Sequence, residues 1–320
     1  MTDSPANKPD TPNLFRKFLN GTEIDSRLLG MFGALALIWL GFHFYGLFFK
    51  GFGAMLTPRN LWNLSVQTSS IGIMATGMVL VIVTRHIDLS VGALVGVTGM
   101  TMGILQAEIF PQYLGLGHPM MWVLTAICGI LLGATIGTFH GWLIAYRGIP
   151  AFIVTLGGLL VWRGTAFLAN NGKTISPLDD TFKLLGGGPY GTIGATGSWV
   201  VGLLACAGII YMLISGRRKR VLHGFPTRPM WGELTVGGLS GGMVIGAVLL
   251  VNAYPWPKGI VKQFAAANNL EVPPEGLFIS HGFAIPVLIL VTVGILMTVL
   301  VNRTRFGRNV FAIGGAVGPD

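Results

Sequence analysis

Charge is what this sequence has least of. Only 10% of its 320 residues are Asp, Glu, Lys or Arg, against about 25% in ordinary soluble domains, and 52% are hydrophobic. That balance excludes a water-solvated globular domain and leaves the lipid bilayer as the solvent. Cysteine is nearly as scarce: Cys128 and Cys206 both lie inside apolar runs, where small buried thiols are common and no disulfide framework is expected. Several catalytic signatures are missing, namely a glycine-rich loop ending in Lys-Ser or Lys-Thr, a paired-histidine zinc motif and a serine nucleophile elbow. An enzyme is therefore not expected, and neither a cofactor nor a metal is implied. Within the apolar runs carboxylates are almost wanting, with Asp88 nearly alone, so an ion relay has little to work with.

What is there is a series of apolar runs, each long enough to cross a bilayer of about 30 Å as a helix. Eight are predicted: 28–49, 61–84, 87–106, 119–146, 150–169, 198–215, 233–254 and 281–301. Because lipid offers no partner for a backbone amide, runs of this length must be helical. The expected fold is thus all-α, a polytopic transmembrane bundle within residues 28–302. Residues 1–27 form a polar segment before it and residues 303–320 a tail after it. The first run exceeds a signal-peptide core and has no clear small-residue cleavage site, so it reads as a retained helix.

The formal charge of +9 does not indicate nucleic acid, because the basic residues sit in short clusters between apolar runs. They indicate topology. With the N-terminus inside, fourteen of the 21 Lys and Arg residues fall on the cytoplasmic side and six on the other, with Arg163 inside a span. Both termini are expected in the cytoplasm. The turn Arg85-His86-Ile87-Asp88 leaves almost no loop between the second and third spans, so a broken or re-entrant helix is one reading there. Between Pro257 and Pro273, the helical spacing of Ile260, Val261, Phe264 and Ala265 fits a short helix on the membrane surface or an ordinary linker helix.

Glycine is abundant, with 48 residues. Gly129, Gly133, Gly137 and Gly141 recur four apart in one span, and Gly238, Gly242 and Gly246 in another. Small residues one turn apart let helix backbones approach closely, so these faces are expected to be packing seams. Polar residues in or beside the spans are candidates for a substrate pathway, since ionisable groups at bilayer depth are costly. They are Asn63, Gln67 and Thr68 on the second span, Arg85, His86, Asp88 and Ser90 at the turn, and Arg163 in the fifth span. Each has a plainer reading. Arg85 and His86 fit interfacial anchors, Asp88 fits a helix cap, Arg163 fits a snorkelling cation, and the amide and hydroxyl groups fit interhelical bonds. His43 and His140, alone in apolar runs, read as satisfied structural groups.

Four segments carry a resemblance. Gly77-Met78-Val79-Leu80-Val81-Ile82 leads into Arg85-His86-Ile87-Asp88-Leu89-Ser90-Val91-Gly92. Ile149-Pro150-Ala151-Phe152-Ile153-Val154-Thr155-Leu156-Gly157 precedes Arg163-Gly164 and Asn170-Asn171-Gly172, and Thr304-Arg305-Phe306-Gly307-Arg308-Asn309-Val310-Phe311-Ala312-Ile313-Gly314-Gly315 closes the series. In order and spacing the chain resembles the ribose, xylose and branched-chain amino-acid group of ATP-binding-cassette importer permeases, and the wording at Arg85-His86 is most similar to the xylose branch. The resemblance covers most of residues 60–315. It implies a sugar pathway in the inner membrane, a soluble sugar-binding protein outside, a separate ATPase inside and a second permease subunit, commonly an identical copy. Arg305, Phe306, Gly307 and Arg308 are then candidates for coupling to the ATPase. Family members continue past the glycine pair with further spans, whereas this sequence ends at Asp320, so a C-terminal truncation is expected. The competing readings are a non-transporting membrane fragment and an ion-coupled secondary transporter.

Overall fold

A computed structural model describes residues 14–270, 273 and 276–316. Residues 1–13, 271–272, 274–275 and 317–320 lie outside it. Thirteen α-helices follow one another among the described residues: α1 (Leu14–Thr22), α2 (Ser26–Lys50), α3 (Pro58–Val83), α4 (Val91–Ile104), α5 (Phe110–Leu114), α6 (Met121–Ala145), α7 (Ala151–Ala169), α8 (Asp180–Leu185), α9 (Gly194–Leu222), α10 (Met230–Asn252), α11 (Lys258–Ala267), α12 (Ile285–Arg303) and α13 (Arg305–Ala316). A π-helical turn, Leu105–Ile109, joins α4 to α5. No strand occurs among the described residues, only isolated bridges. Eight segments are long and apolar enough to span a membrane, and they coincide with the eight predicted runs. The chain is a multi-pass membrane protein of all-α fold.

Three boundaries differ from expectation, each for a local reason. The third span starts at Val91 and continues through the π turn to Leu114. The Phe110 N–H bonds the Leu105 carbonyl five residues back, just ahead of Pro111, whose ring is not tolerated in regular helix. The sixth span runs on to Leu222, so Arg217–Arg220 are helical. The eighth starts at Ile285, because His281-Gly282-Phe283 are held out of helix by bonds to remote segments described below. Between the second and third spans the helix is broken, and α3 closes in a left-handed cap with Arg85 at φ +61°. Its N–H bonds the Ile82 carbonyl, and the His86 N–H bonds that of Val81, the two bonds of a Schellman motif with arginine where glycine is usual.

The described residues divide into two compact units, Met1–Leu64 with Ile193–Phe283, and Ser65–Thr192 with Ala284–Asp320. In the first, α9 packs on α10, and α1 lies against α10. A Cβ at Gly21 would strike the Trp231 ring, and one at Gly232 the Gly21 carbonyl, so both glycines are needed for that approach. α2 is apolar along its length with no buried residue, as suits a helix facing lipid. The short helix anticipated after Pro257 is α11, with Val261 and Ala265 buried inside the unit. In the second unit α4 packs on both α6 and α7, α6 packs on α7, and α12 contacts α8 and α13.

Candidate functional site

The densest polar arrangement grows out of the cap of α3. After the left-handed turn at Arg85 the chain runs non-helically to Ser90, which precedes α4. Asp88 does not cap α4 in the usual position. Its Oδ1 accepts from the Ser90 backbone N–H at 2.7 Å and from Ser90 Oγ at 2.6 Å, an Asx turn that fixes Ser90 before the helix begins. Ser90 is fully buried and His140 on α6 nearly so. Ser90 Oγ lies 3.5 Å from His140 Nδ1, and Trp162 Nε1 on α7 donates to His140 Nε2 at 3.0 Å.

That last bond determines the rest. An indole N–H only donates, so Nε2 must carry a lone pair, and the ring proton sits on Nδ1. Nδ1–H then points to Ser90 Oγ, whose own hydrogen goes to Asp88. A single directed chain, Trp162 to His140 to Ser90 to Asp88, ties α7 and α6 to the turn before α4 and ends on a carboxylate. Such charge-terminated bonds are the stronger kind, and in a low-dielectric interior every unmade member would be costly. Gly158 makes room for it: a Cβ there would come within 2.5 Å of His140 Cε1. Thr155, also on α7, donates to the Ala151 carbonyl at 2.9 Å and has the Ile87 carbonyl 3.4 Å away. Beside the chain opens an apolar cleft of about 280 Å³ between α6 and α7, lined by Phe139, Ile153, Val154 and Gly157 among others.

The closing motif comes to the same corner. Thr304 Oγ1 accepts from the Gly307 N–H at 3.3 Å, capping α13. Val310 is buried, while Arg305 and Arg308 are exposed. A Cβ at Gly314 would run into the Val83 carbonyl, so α13 lies directly on the last turn of α3, next to Arg85. Gly307 meets the Val301 carbonyl in the same way.

Of the residues anticipated from sequence, Asp88 and Ser90 are brought together, and His86 Nδ1 lies 3.2 Å from Thr84 Oγ1. Asn63 is half-buried; Gln67, Thr68 and Arg163 are exposed, with Thr68 Oγ1 donating to the Ser65 carbonyl at 3.3 Å. Trp162, Gly158 and Thr155 were not anticipated. The spacing of Gly158 and Trp162, one turn apart on α7, was their signal. Gln106 was missed as well: buried at the π turn, its Oε1 accepts the Asp179 N–H at 3.1 Å. Among the glycine faces, Gly129 meets Met102, whereas among the described residues nothing beyond the helix's own nearby backbone lies within 4 Å of a Cβ at Gly133, Gly137, Gly141, Gly238, Gly242 or Gly246.

The first unit carries a polar cluster at each end of the α9–α10 pair. At one end His281 is buried, stacked on Tyr254 with ring centroids 4.3 Å apart and 4.7 Å from the Trp62 ring. Trp62 Nε1 donates to the Gly282 carbonyl at 2.9 Å, and the Phe283 N–H donates to Ser198 Oγ at 2.8 Å. Burial pushes the His281 imidazole below its ordinary value, opposed by its bond to the Tyr254 carbonyl. At the other end Glu23 pairs with Arg220 and Arg228, both at 2.8 Å, and Glu233 with Arg217 at 2.8 Å. The hydrogen bond from Arg220, then that from Arg228, lowers the Glu23 carboxyl to about 2.

Known proteins place this arrangement. The family described as branched-chain amino acid transport system / permease component matches residues 60–317. The xylose transport system permease protein XylH of Haemophilus influenzae is 34% identical over 265 residues, 83% of this chain and 60% of that protein. XylH of Escherichia coli is 33% identical over 263 residues, 82% of this chain and 57% of its own length. The ribose import permease protein RbsC of Escherichia coli is 34% identical over 172 residues, covering 52% of this chain and 50% of that protein. The chain thus spans about 60% of the length of the xylose permeases it resembles. No solved structure matches it. With its family match covering the corner, the α6–α7 node and α13, the chain belongs to the branched-chain amino acid transport system permease family.

Proposed function

We propose that this chain is the pathway-forming permease subunit of an ATP-driven, binding-protein-dependent importer of D-xylose or a related monosaccharide, seated in the inner membrane with both termini cytoplasmic. The observation that carries the reading is the family match over residues 60–317, with XylH proteins similar along more than four fifths of the chain. In this reading ATP is hydrolysed on a separate subunit, sugar arrives from a binding protein outside, and a second permease copy completes the pathway. Asn63, Gln67, Thr68 and Arg163 contribute polar groups to that pathway, while Arg85, His86, Asp88 and Ser90 form its articulated corner. Arg305, Phe306, Gly307 and Arg308 receive the ATPase, and the contact of α13 with the last turn of α3 supports passage of its displacement to the corner. The open glycine faces of α6 and α10 pack against other helices of the assembly.

The test is uptake of labelled pentoses by cells lacking their own pentose permease but supplied with the matching binding protein and ATPase. Expression of the full-length protein is expected to restore xylose uptake above that of other sugars. Membrane insertion without uptake of any monosaccharide would sink the proposal.

A further inference from the structure

The arginine-rich end of α9 has more positive charge than its own structure uses. Arg217, Arg220 and Arg228 surround two carboxylates, Glu23 and Glu233, leaving one guanidinium charge uncompensated. Between them lies a pocket of about 170 Å³ lined by the three arginines, Glu233 and, on its apolar side, Met212, Leu213 and Gly216. Arg228 Nε faces no acceptor although it is buried from solvent. Natural proteins seldom leave such a donor unpaired without a ligand or water to meet it. Arg218 and Lys219 follow Arg217 on the same turn of α9, both with exposed side chains. α10 starts after Pro229 with no side-chain cap, so the positive end of its dipole also points to this region.

We infer that this pocket is a binding site for the headgroup of an anionic phospholipid. The phosphodiester would accept from Arg228 Nε–H and balance the spare charge, while the acyl chains leave past Met212 and Leu213 onto the apolar flank of α9. A free phosphate would satisfy the same arginines but gains nothing from that apolar wall, and its second negative charge would face Glu233. The inference goes beyond transport and does not depend on which substrate the protein carries.

Native mass spectrometry of the purified full chain, titrated with phosphatidylglycerol or phosphatidylcholine of identical acyl chains, tests it. Phosphatidylglycerol adducts are expected to survive detergent removal about fivefold better than phosphatidylcholine adducts, the effect of one basic residue on an anionic lipid. Arg228→Gln should abolish that preference. If this variant folds poorly, Arg228→Lys retains the charge facing Glu23 but lacks the Nε donor, and should keep the thermal stability while losing most of the preference. Arg218→Gln should weaken retention modestly and only at low salt. Equal retention of the two lipids, an unchanged preference in Arg228→Lys, or full displacement of phosphatidylglycerol by equimolar inorganic phosphate would overturn the assignment.

Discussion

Two polar clusters in this protein solve opposite problems. The chain from Trp162 through His140 and Ser90 to Asp88 is held among packed helices, and it ends on one carboxylate with each shared hydrogen assigned. The cluster of Glu23, Arg217, Arg220, Arg228 and Glu233 is made wholly of charges, partly exposed at the end of a helix pair. Inside the bundle an unmet polar group has no water to turn to, so geometry must be complete and substitution is expensive. At the basic end water and salt reach the exposed faces of these pairs, so the pairs can be broken at little cost, and a charge can be kept in reserve for a ligand. Tight polar wiring inside and loose ionic contacts at the edge thus follow from the local dielectric alone.

The sharpest way to break the contrast is at Gly158. Gly158→Ala should displace His140 and cost about 3 kcal/mol of stability, combining overpacking with loss of a buried bond. Thermal unfolding of the purified protein would show it. His140→Leu strands the Trp162 N–H and should cost about 2 kcal/mol. Adding Trp162→Phe should then cost little, and a double-mutant cycle should return a coupling of about 1 kcal/mol. Additive losses would mean that the two side chains are not wired together.

Gly314→Ala pushes a methyl group into the Val83 carbonyl and should cost about 1–3 kcal/mol, concentrated at α13. Hydrogen exchange is expected to accelerate over residues 305–316 with little change at His140. Uniform acceleration would contradict a local seat.

Acid separates the clusters of the first unit. His281 has its value lowered by burial, so its neutral form is the one the fold accommodates. The unfolded chain binds that proton more readily, and stability is lost as pH falls from the ordinary 6.5 toward the lower folded value. Glu23 is also lowered, so its contribution is complete above 4.5 and fades as pH drops toward about 2. Melting curves should therefore show two acid windows, with His281→Phe removing the first and Glu23→Gln the second. The smallest effect belongs to Glu23→Gln at neutral pH, and it should vanish in roughly 1 M salt, where screening reaches about 3 Å. The His140→Leu effect should not change with salt.

Much of this was legible in advance. The eight spans announce themselves because length and hydropathy are local properties, and the polar turn at residues 85–90 was visible as a concentration of unlike residues in an apolar sequence. Asp88 and Ser90 were readable as candidates, but their partners were not, since His140 and Trp162 lie 50 and 72 positions beyond Ser90. His140 looked like a satisfied structural group, and it has a partner on each ring nitrogen. The end of α3 was predicted at 84, within one residue of Val83, but the form of its cap was not legible, because arginine rarely adopts the left-handed conformation that Arg85 holds.

The sequence by itself determined that this protein lives in a bilayer, where the eight apolar runs within residues 28–302 lie, and which permeases it resembles. Composition, run length and motif order need no third dimension, because the cost of an exposed backbone amide in lipid forces each apolar run into helix. Only the tertiary structure decided that Gly158 clears a place for His140, that Gly314 seats α13 on the end of α3, and that three arginines enclose a pocket with a donor left over. Those facts depend on which helix faces meet, and in lipid that choice is made by packing and by the few polar groups that must find one another, not by hydrophobicity.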